Sequence, residues 1–553
     1  MRVKIITFFI IGLLLSGFVY GGGSSQNVSP AVQSAATSAG GADAFFAVQA
    51  EPLTLPITKD NITLRIFCEI PDRAAATLKN FNEMVAYQEL QKRTGIKLEF
   101  IHAPTPSLTE QFNLMIASGD LPELIFYPWN LIPGGPDKAM DDGIIQNIRD
   151  PIAKYAPNFK QILKDNPNVY KDTITDNGRI YWVPQLKMYK EDRTVGGFMI
   201  RQDWLDKLGL KVPTTMDEWY TVLKAFKEKD PNGTGKPVIP MISMKTNDID
   251  GIERFTYAWG FPADFYDDNG TVKYGPVQPG YKEFLKTMAK WYAEGLIDPE
   301  YLATDRRSHD AKVTSGEAGS FYGLINSFMG TYTANMAKID PKFNLVSVPL
   351  PMSSDGKRYD FYPDSVREVC NAGFAFSTKN KYVKESVKML DYYFTEDGKV
   401  LMNLGIEGLT FNIVNGEYLY TDLITNNPNG WSRDQAIAHY TPSGVTARLF
   451  QDKRYWLQMA VYPNQIAGMA IFADATSERA MPMISIQGDD ATTLAGIQNE
   501  LRTYQREMQA KFIMGQLDID SQWDTFVKTL DSLRLSNAID ILQQAVTRYD
   551  NRK

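Results

Sequence analysis

The 553-residue sequence predicts an α/β fold in at least two domains. Three observations carry that reading. Single hydrophobic cores stop growing beyond roughly 250–300 residues, so a chain of this length divides. Hydrophobic residues at 44% and charged residues at 22% are ordinary for globular domains. Short apolar segments alternate with amphipathic ones, opening with a strand–helix–strand unit of the kind that builds parallel sheets.

Two function classes are weakened by composition alone. A net charge of −7, from 58 basic and 65 acidic residues, argues against a general nucleic-acid binder, whose affinity needs a basic surface. His102, His309 and His439 with Cys68 and Cys370 are thin material for a zinc site or a thiol enzyme.

The N-terminus reads as an export signal, residues 1–20. Arg2 and Lys4 precede the hydrophobic run Ile5–Val19, and Val19-Tyr20-Gly21 suits cleavage. The competing reading is an uncleaved anchor, although the run is short for a bilayer span. Leu15-Ser16-Gly17 is followed by Phe18, where a bacterial lipoprotein carries the cysteine that takes the lipid. Without that thiol no thioether forms, which argues against a lipid anchor there. Residues 21–58 are assigned to a flexible leader, because Gly21–Ala50 is rich in Gly, Ser, Ala and Gln and nearly uncharged.

Ile62–Ile70 is the first strand. A helix carrying Met84, Val85, Tyr87 and Leu90 ends at Gly95, and Ile96–Ile101 alternates as a strand. Ser107 and Glu110 form a capping-box pattern ahead of a helix that stops at Ser118-Gly119. Leu121–Tyr127 is the next strand. In open α/β sheets ligands sit beyond the carboxyl ends of strands, so Trp129 is either a ligand contact or a ring packed under its loop. Tyr181-Trp182-Val183-Pro184 precedes a change of domain. Gly196–Ile200 is a strand, Asp203–Leu208 a short helix, and Thr214-Thr215 with Glu218 a second capping box. Trp219, Val222, Leu223 and Phe226 form an apolar helical stripe, and so do Phe284, Leu285, Met288 and Trp291.

Asp230, Asn232 and Thr234 place oxygen ligands at alternating positions, as a calcium loop does. The twelfth position holds Met241 instead of a bidentate Glu, which favours a bare turn and no cofactor. Phe321 and Tyr322 alternate across a strand of small residues, so at most one of them faces a ligand. Cys370–Ser377 is a strand, Asn380–Phe394 an amphipathic helix, and Leu494–Tyr549 a helical end whose Gly515 and Trp523 read as packing residues.

Several ordered phrases carry a resemblance: ASGDLPELIFY at 117–127, RQDWLDKLGLKVPTTMDEWY at 201–220, EGLIDPE at 294–300, SGEAGSFY at 315–322, GIEGLTF at 405–411 and KFIMGQLDIDSQWDTFVKTL at 511–530. In this order they resemble the family 1 extracellular solute-binding proteins, which feed sugars to ABC importers. The resemblance spans about Leu64 to Tyr549. It implies a two-lobed, type II periplasmic-binding-protein-like fold with the ligand between the lobes. Lobe 1 would comprise 59–195 with 368–440, and lobe 2 196–367 with 441–553. The strand at Cys370 would then return to lobe 1, bringing Cys68 and Cys370 into one lobe and leaving open whether they pair.

The same resemblance implies a carbohydrate ligand, membrane permease partners, a monomer on the outer side of the cytoplasmic membrane, and no catalysis. Trp129, Trp182, Tyr257, Trp259, Tyr322, Arg367, Glu407 and Phe411 are the candidate ligand contacts. Aromatic faces would stack on sugar rings. Arg367 would bond hydroxyls or a carboxylate, or form an interlobe ion pair; Glu407 would bond ligand or cap structurally. Two other readings stay open: a peptide or uronate ligand on the same fold, and an exported carbohydrate-active enzyme using paired carboxylates.

Overall fold

In a computed structural model of the chain, residues 41–194, 196–244, 251–362, 365–445 and 447–553 are described. The export signal lies outside them. The strands in order are β1 Ile62–Ile70, β2 Ile96–Pro104, β3 Leu124–Tyr127, β4 Trp182–Leu186, β5 Gly196–Arg201 and β6 Ile239–Met241. They continue as β7 Phe265–Asp268, β8 Thr271–Tyr274, β9 Ala318–Leu324, β10 Leu345–Val348, β11 Val369–Phe376, β12 Phe411–Val414 and β13 Glu417–Tyr420.

Two sheets organise the molecule. The first has the order β2-β1-β3-β11-β4. Here β1 runs parallel to β2 and to β3, while β11 returns antiparallel between β3 and β4, with Gly373 opposite Tyr127. Leu64, Ile66, Phe67 and Cys68 are consecutive or near-consecutive buried positions, as expected of a strand covered on both faces. The second sheet has the order β10-β5-β9-β6, in which β6 and β9 are parallel and β5 opposes both β9 and β10. Each sheet has its own core. One gathers Leu64, Ile125, Trp182 and Phe374; the other gathers Phe198, Trp219, Phe255, Trp291 and the C-terminal helices through Phe512, Phe526 and Leu542. The fold is therefore α/β and two-lobed.

Helix ends follow the chemistry of their residues. Gly95, Gly119 and Gly209 close helices at φ of 77°, 70° and 66°, the left-handed region that favours glycine. Trp219, Val222, Leu223 and Phe226 are all buried, as their spacing requires. Phe321 and Tyr322 point to opposite faces of β9 and enter different cores.

Four local expectations are corrected. Ser107 sits in a 3₁₀ turn with ψ of 9°, and its Oγ bonds back to the Pro104 carbonyl at 3.3 Å, so it does not cap the helix Leu108–Ser118. The second box is offset by one residue: Thr215 accepts from the Glu218 N–H, but Glu218 Oε2 accepts from the Thr214 N–H at 2.7 Å. The strand expected from Leu121 begins at Leu124, after Pro122, which cannot donate to a ladder. Residues 42–58 are not a loose leader. Ala42–Ala47 is helical, Phe45 is buried 5.7 Å from the Tyr170 ring, and the Arg149 guanidinium lies 5.0 Å over Phe45. Glu51 then pairs with Lys388 at 3.1 Å, and the Ile57 N–H bonds the Thr94 carbonyl. The low-complexity average concealed Phe45 and Phe46, each of which brings on the order of 200 Å² of apolar surface.

No disulfide joins Cys68 and Cys370. Their strands β1 and β11 are separated by β3, a span of about 9–10 Å across two strand spacings, too far for a bridge.

Candidate functional site

The polypeptide passes between the two sheets from β4 to β5, from β10 to β11, and again after Phe450. These crossings are held together by backbone bonds. The Leu186 N–H donates to the Leu449 carbonyl and the Lys187 N–H to the Glu368 carbonyl, both at 2.8 Å, while Arg193 pairs with Glu368. Within the β4–β5 crossing, Asp192 is almost fully buried and neither carboxylate oxygen has a hydrogen-bond partner among the described residues. Burial, reinforced by Asp452 and Glu191, pushes its carboxyl up to about 7.

A cavity of about 610 Å³ opens where the β10–β11 crossing meets lobe 2. The 3₁₀ segment Glu253–Trp259 forms one wall, and the crossing segment contributes Phe361, Tyr362 and Arg367. The helix Asp490–Ile513 supplies Gln498, Arg502, Gln505 and Arg506, spaced i, i+4, i+7 and i+8, so all lie on one face. Arg254 is the centre of the aromatic wall. Its guanidinium lies 5.7, 5.5 and 5.3 Å from the rings of Tyr257, Tyr322 and Tyr362, and it donates to the Tyr257 hydroxyl. Burial pushes the Tyr257 phenol up to about 12 despite Arg254, so the hydroxyl stays neutral and can both donate and accept.

Acidic groups at the cavity are paired. Asp264 lies 3.3 Å from Arg502, and Glu253 lies 4.0 Å from Arg506. Arg367 is different. Its Nε is buried and has no hydrogen-bond partner among the described residues. An unmade buried donor costs about 1–3 kcal/mol. The opposite charge nearest in effect is Asp172 of lobe 1, whose Oδ1 already accepts from the Tyr549 hydroxyl at 2.6 Å. Burial holds Asp172 above the ordinary carboxylate range, with Tyr549, Arg367 and Arg552 pulling it back. Beside it, Asp176 accepts from Arg548 at 2.9 Å and from Arg552 at 2.8 Å, joining the C-terminus to lobe 1.

Of the residues singled out by sequence, Tyr257 and Arg367 line this cavity. Tyr322 is buried one layer behind it, edge-on to Phe198 and under Arg254. Trp259 is half-buried against Phe284. Trp129, Trp182 and Phe411 present essentially no surface to solvent. Trp129 donates to the Ile125 carbonyl at 3.0 Å and meets Phe112 edge-on, Trp182 stacks on Tyr181, and Phe411 packs in a small separate core. Glu407 is exposed, with its backbone bridged to Phe411. Sequence reasoning passed over Arg254, Tyr362 and the polar stripe of the Asp490–Ile513 helix. The i, i+4, i+7, i+8 spacing was the available signal, hidden because the same helix also carries buried Leu494, Ile497 and Leu501.

The loop at Asp230 is closed by its own side-chain oxygens. Asp230 Oδ1 accepts from the Thr234 and Gly235 N–H groups at 3.1 and 3.2 Å, and Asn232 Oδ1 accepts from the Thr234 hydroxyl at 2.9 Å. Those oxygens close the turn themselves, Met241 is buried in β6, and a hard cation needs six to eight oxygen ligands. Among the described residues no cluster of three or more His, Cys, Asp or Glu is suited to hold a metal.

The sequence model of the bacterial extracellular solute-binding protein family matches residues 75–400. The chain belongs to that family. This solute-binding protein is 25% identical over 515 residues to the fructooligosaccharide ABC transporter substrate-binding protein FusA of Streptococcus pneumoniae, covering 86% of this chain and 89% of that one. It is 25% identical over 332 residues to the polygalacturonan/rhamnogalacturonan-binding protein YtcQ of Bacillus subtilis, covering 59% and 63%. Among solved structures, it superposes on the alginate-binding protein AlgQ2 without calcium ion with a TM-score of 0.66 at 29% identity, over 90% of this chain and 99% of that one. An HMO-binding, ABC-transporter-associated solute-binding protein from Bifidobacterium longum infantis shares the fold, with a TM-score of 0.67 at 22% identity, over 88% and 99%.

Proposed function

We propose that this solute-binding protein captures a short oligosaccharide outside the cytoplasmic membrane and delivers it to the permease of an ABC importer. The observation that carries the reading is the cavity: about 610 Å³, within the range of small-molecule sites, lined by aromatic faces, amides and guanidinium groups. The names of FusA, YtcQ and AlgQ2, all carbohydrate binders, support it.

Tyr362 offers a ring face and hydroxyl to a sugar and Gln498 an amide, while the buried Tyr257 backs the same wall. The lining residues all come from the lobe 2 segments, and Arg367, which acts electrostatically on Asp172, is the route by which the segments of lobe 1 would sense a ligand there. Binding free energy realised only when both walls are in place favours the closed form, which the permease then recognises. The protein acts as a monomer and leaves the ligand chemically unchanged.

Titration calorimetry of the purified protein against neutral and acidic oligosaccharides tests this. Saturable heat, a raised melting temperature and recovery of intact sugar are expected. Shortened sugar in the recovered material would sink the binding-only reading. Silence with every sugar would sink the carbohydrate assignment.

A further inference from the structure

The cavity walls carry four guanidinium groups, on Arg254, Arg367, Arg502 and Arg506, against two carboxylates, on Glu253 and Asp264. This excess of positive charge stands out on a chain whose net charge is −7. Arg502 and Arg506 have carboxylate neighbours in the wall, and Arg254 is set among three tyrosine rings. Arg367 has a buried Nε with no hydrogen-bond partner among the described residues, and Asp172, the acid it acts on, is already bonded by Tyr549. A sugar hydroxyl would satisfy one donor and leave the charge. A carboxylate would satisfy two parallel donors of the guanidinium and neutralise it.

We propose that the ligand is an acidic oligosaccharide, and that a uronate carboxylate pairs with Arg367. Arg502, exposed at the rim, and Arg506 provide the positive field that draws the anion in. Tyr362, on the wall that Arg254 and the buried Tyr257 support, bonds the hydroxyls of the same sugar ring. This inference rests on the carbohydrate reading and narrows it to a charge class.

The test uses the full mature chain and three probes: trigalacturonate, a mannuronate trisaccharide, and carboxyl-reduced trigalacturonate, which keeps the ring and loses the charge. Calorimetry should show at least one acidic trisaccharide binding about 100-fold tighter than the reduced one, with affinity falling as salt rises. Arg367→Gln should cost the acidic ligand about 10- to 100-fold and the reduced ligand distinctly less, so that the preference between the two shrinks at least about tenfold. Arg367→Lys should fall between, and it carries the test if the Gln variant does not fold. Equal binding of the acidic and reduced forms would overturn the proposal, as would full acidic affinity in a folded Arg367→Gln. Binding of neutral sugars alone would overturn this inference and leave the carbohydrate reading standing. No binding by any sugar would overturn both.

Discussion

The aromatic residues of lobe 1 and those beside the lobe 2 cavity give the same signal in one dimension and opposite outcomes in three. Trp129 follows the carboxyl end of β3, where α/β sheets place ligands, yet its ring is enclosed by Phe112 and Tyr127 and its N–H is satisfied by the Ile125 carbonyl. Tyr257 lies within a 3₁₀ segment with no strand geometry to recommend it, yet it lines the cavity because Arg254 holds its hydroxyl there. The partner of the polar atom separates the two cases. The Trp129 N–H is satisfied by the backbone of β3, and its ring meets only neighbouring side chains. The Tyr257 ring, 2% exposed, is nearly as buried, but it stands in the wall of the cavity beside Arg254.

Trp129→Ala should have the largest effect and should break the comparison if it is wrong. Removing a buried indole is expected to cost about 3–5 kcal/mol in urea unfolding, while the folded fraction keeps its ligand affinity. Weakened binding at unchanged stability would instead put Trp129 at the ligand.

Asp176→Asn comes next. It removes the charge that Arg548 and Arg552 share at the join between the C-terminus and lobe 1, where the Asp176 and Arg552 side chains are 5% and 2% exposed. A loss of about 2–3 kcal/mol is expected, measured as a lower unfolding midpoint. A midpoint equal to the parent would show that the join contributes nothing.

Tyr257→Phe keeps the ring and removes the hydroxyl. Ligand affinity should fall about tenfold, while stability falls by about 1–3 kcal/mol, less than for Trp129→Ala, because buried Arg254 loses an acceptor. An equal loss of stability in both variants would erase the distinction between the two regions.

The last effect is a pH dependence at the β4–β5 crossing. Asp192 has a carboxyl raised to about 7 in the folded protein, against an ordinary value of 3.8. Burial is the main cause; Asp452 and Glu191 add to the shift, and Lys453 and Arg448 partly oppose it. The folded state therefore holds the proton more tightly than the unfolded chain, and stability falls as pH rises from about 4 through about 7. Asp192→Asn cannot ionise, so its melting temperature should rise above the parent's at about pH 8, and the difference should shrink steadily as the pH is lowered toward 3.8. The same difference at both pH values would show that Asp192 does not titrate in this range.

Much of the fold was legible because its signals are local. The run Ile62–Ile70 is apolar enough for a covered strand, Gly95 permits the left-handed helix stop, and Trp219, Val222, Leu223 and Phe226 recur at helical spacing. The site was legible only in part. Tyr257 and Arg367 were singled out, but the wall opposite them comes from a helix more than 130 residues further along the chain, at Gln498–Arg506. The capping pattern at Ser107 failed for a related reason: Pro106 and the preceding turn set the backbone angles that decide where the serine oxygen points.

By itself, the sequence determined the class of protein: its two-lobed α/β architecture, its strands and their covered faces, and its place among the solute-binding proteins. These follow from periodicity, helix-stop chemistry and ordered phrases, all read along the chain. Only the tertiary structure decided which aromatic residues are core and which line a cavity, that residues 42–58 are packed, and that Arg367 lacks a hydrogen-bond partner at Nε among the described residues. Burial and partnership depend on segments far apart in sequence meeting in space, and no local pattern records which of them will meet.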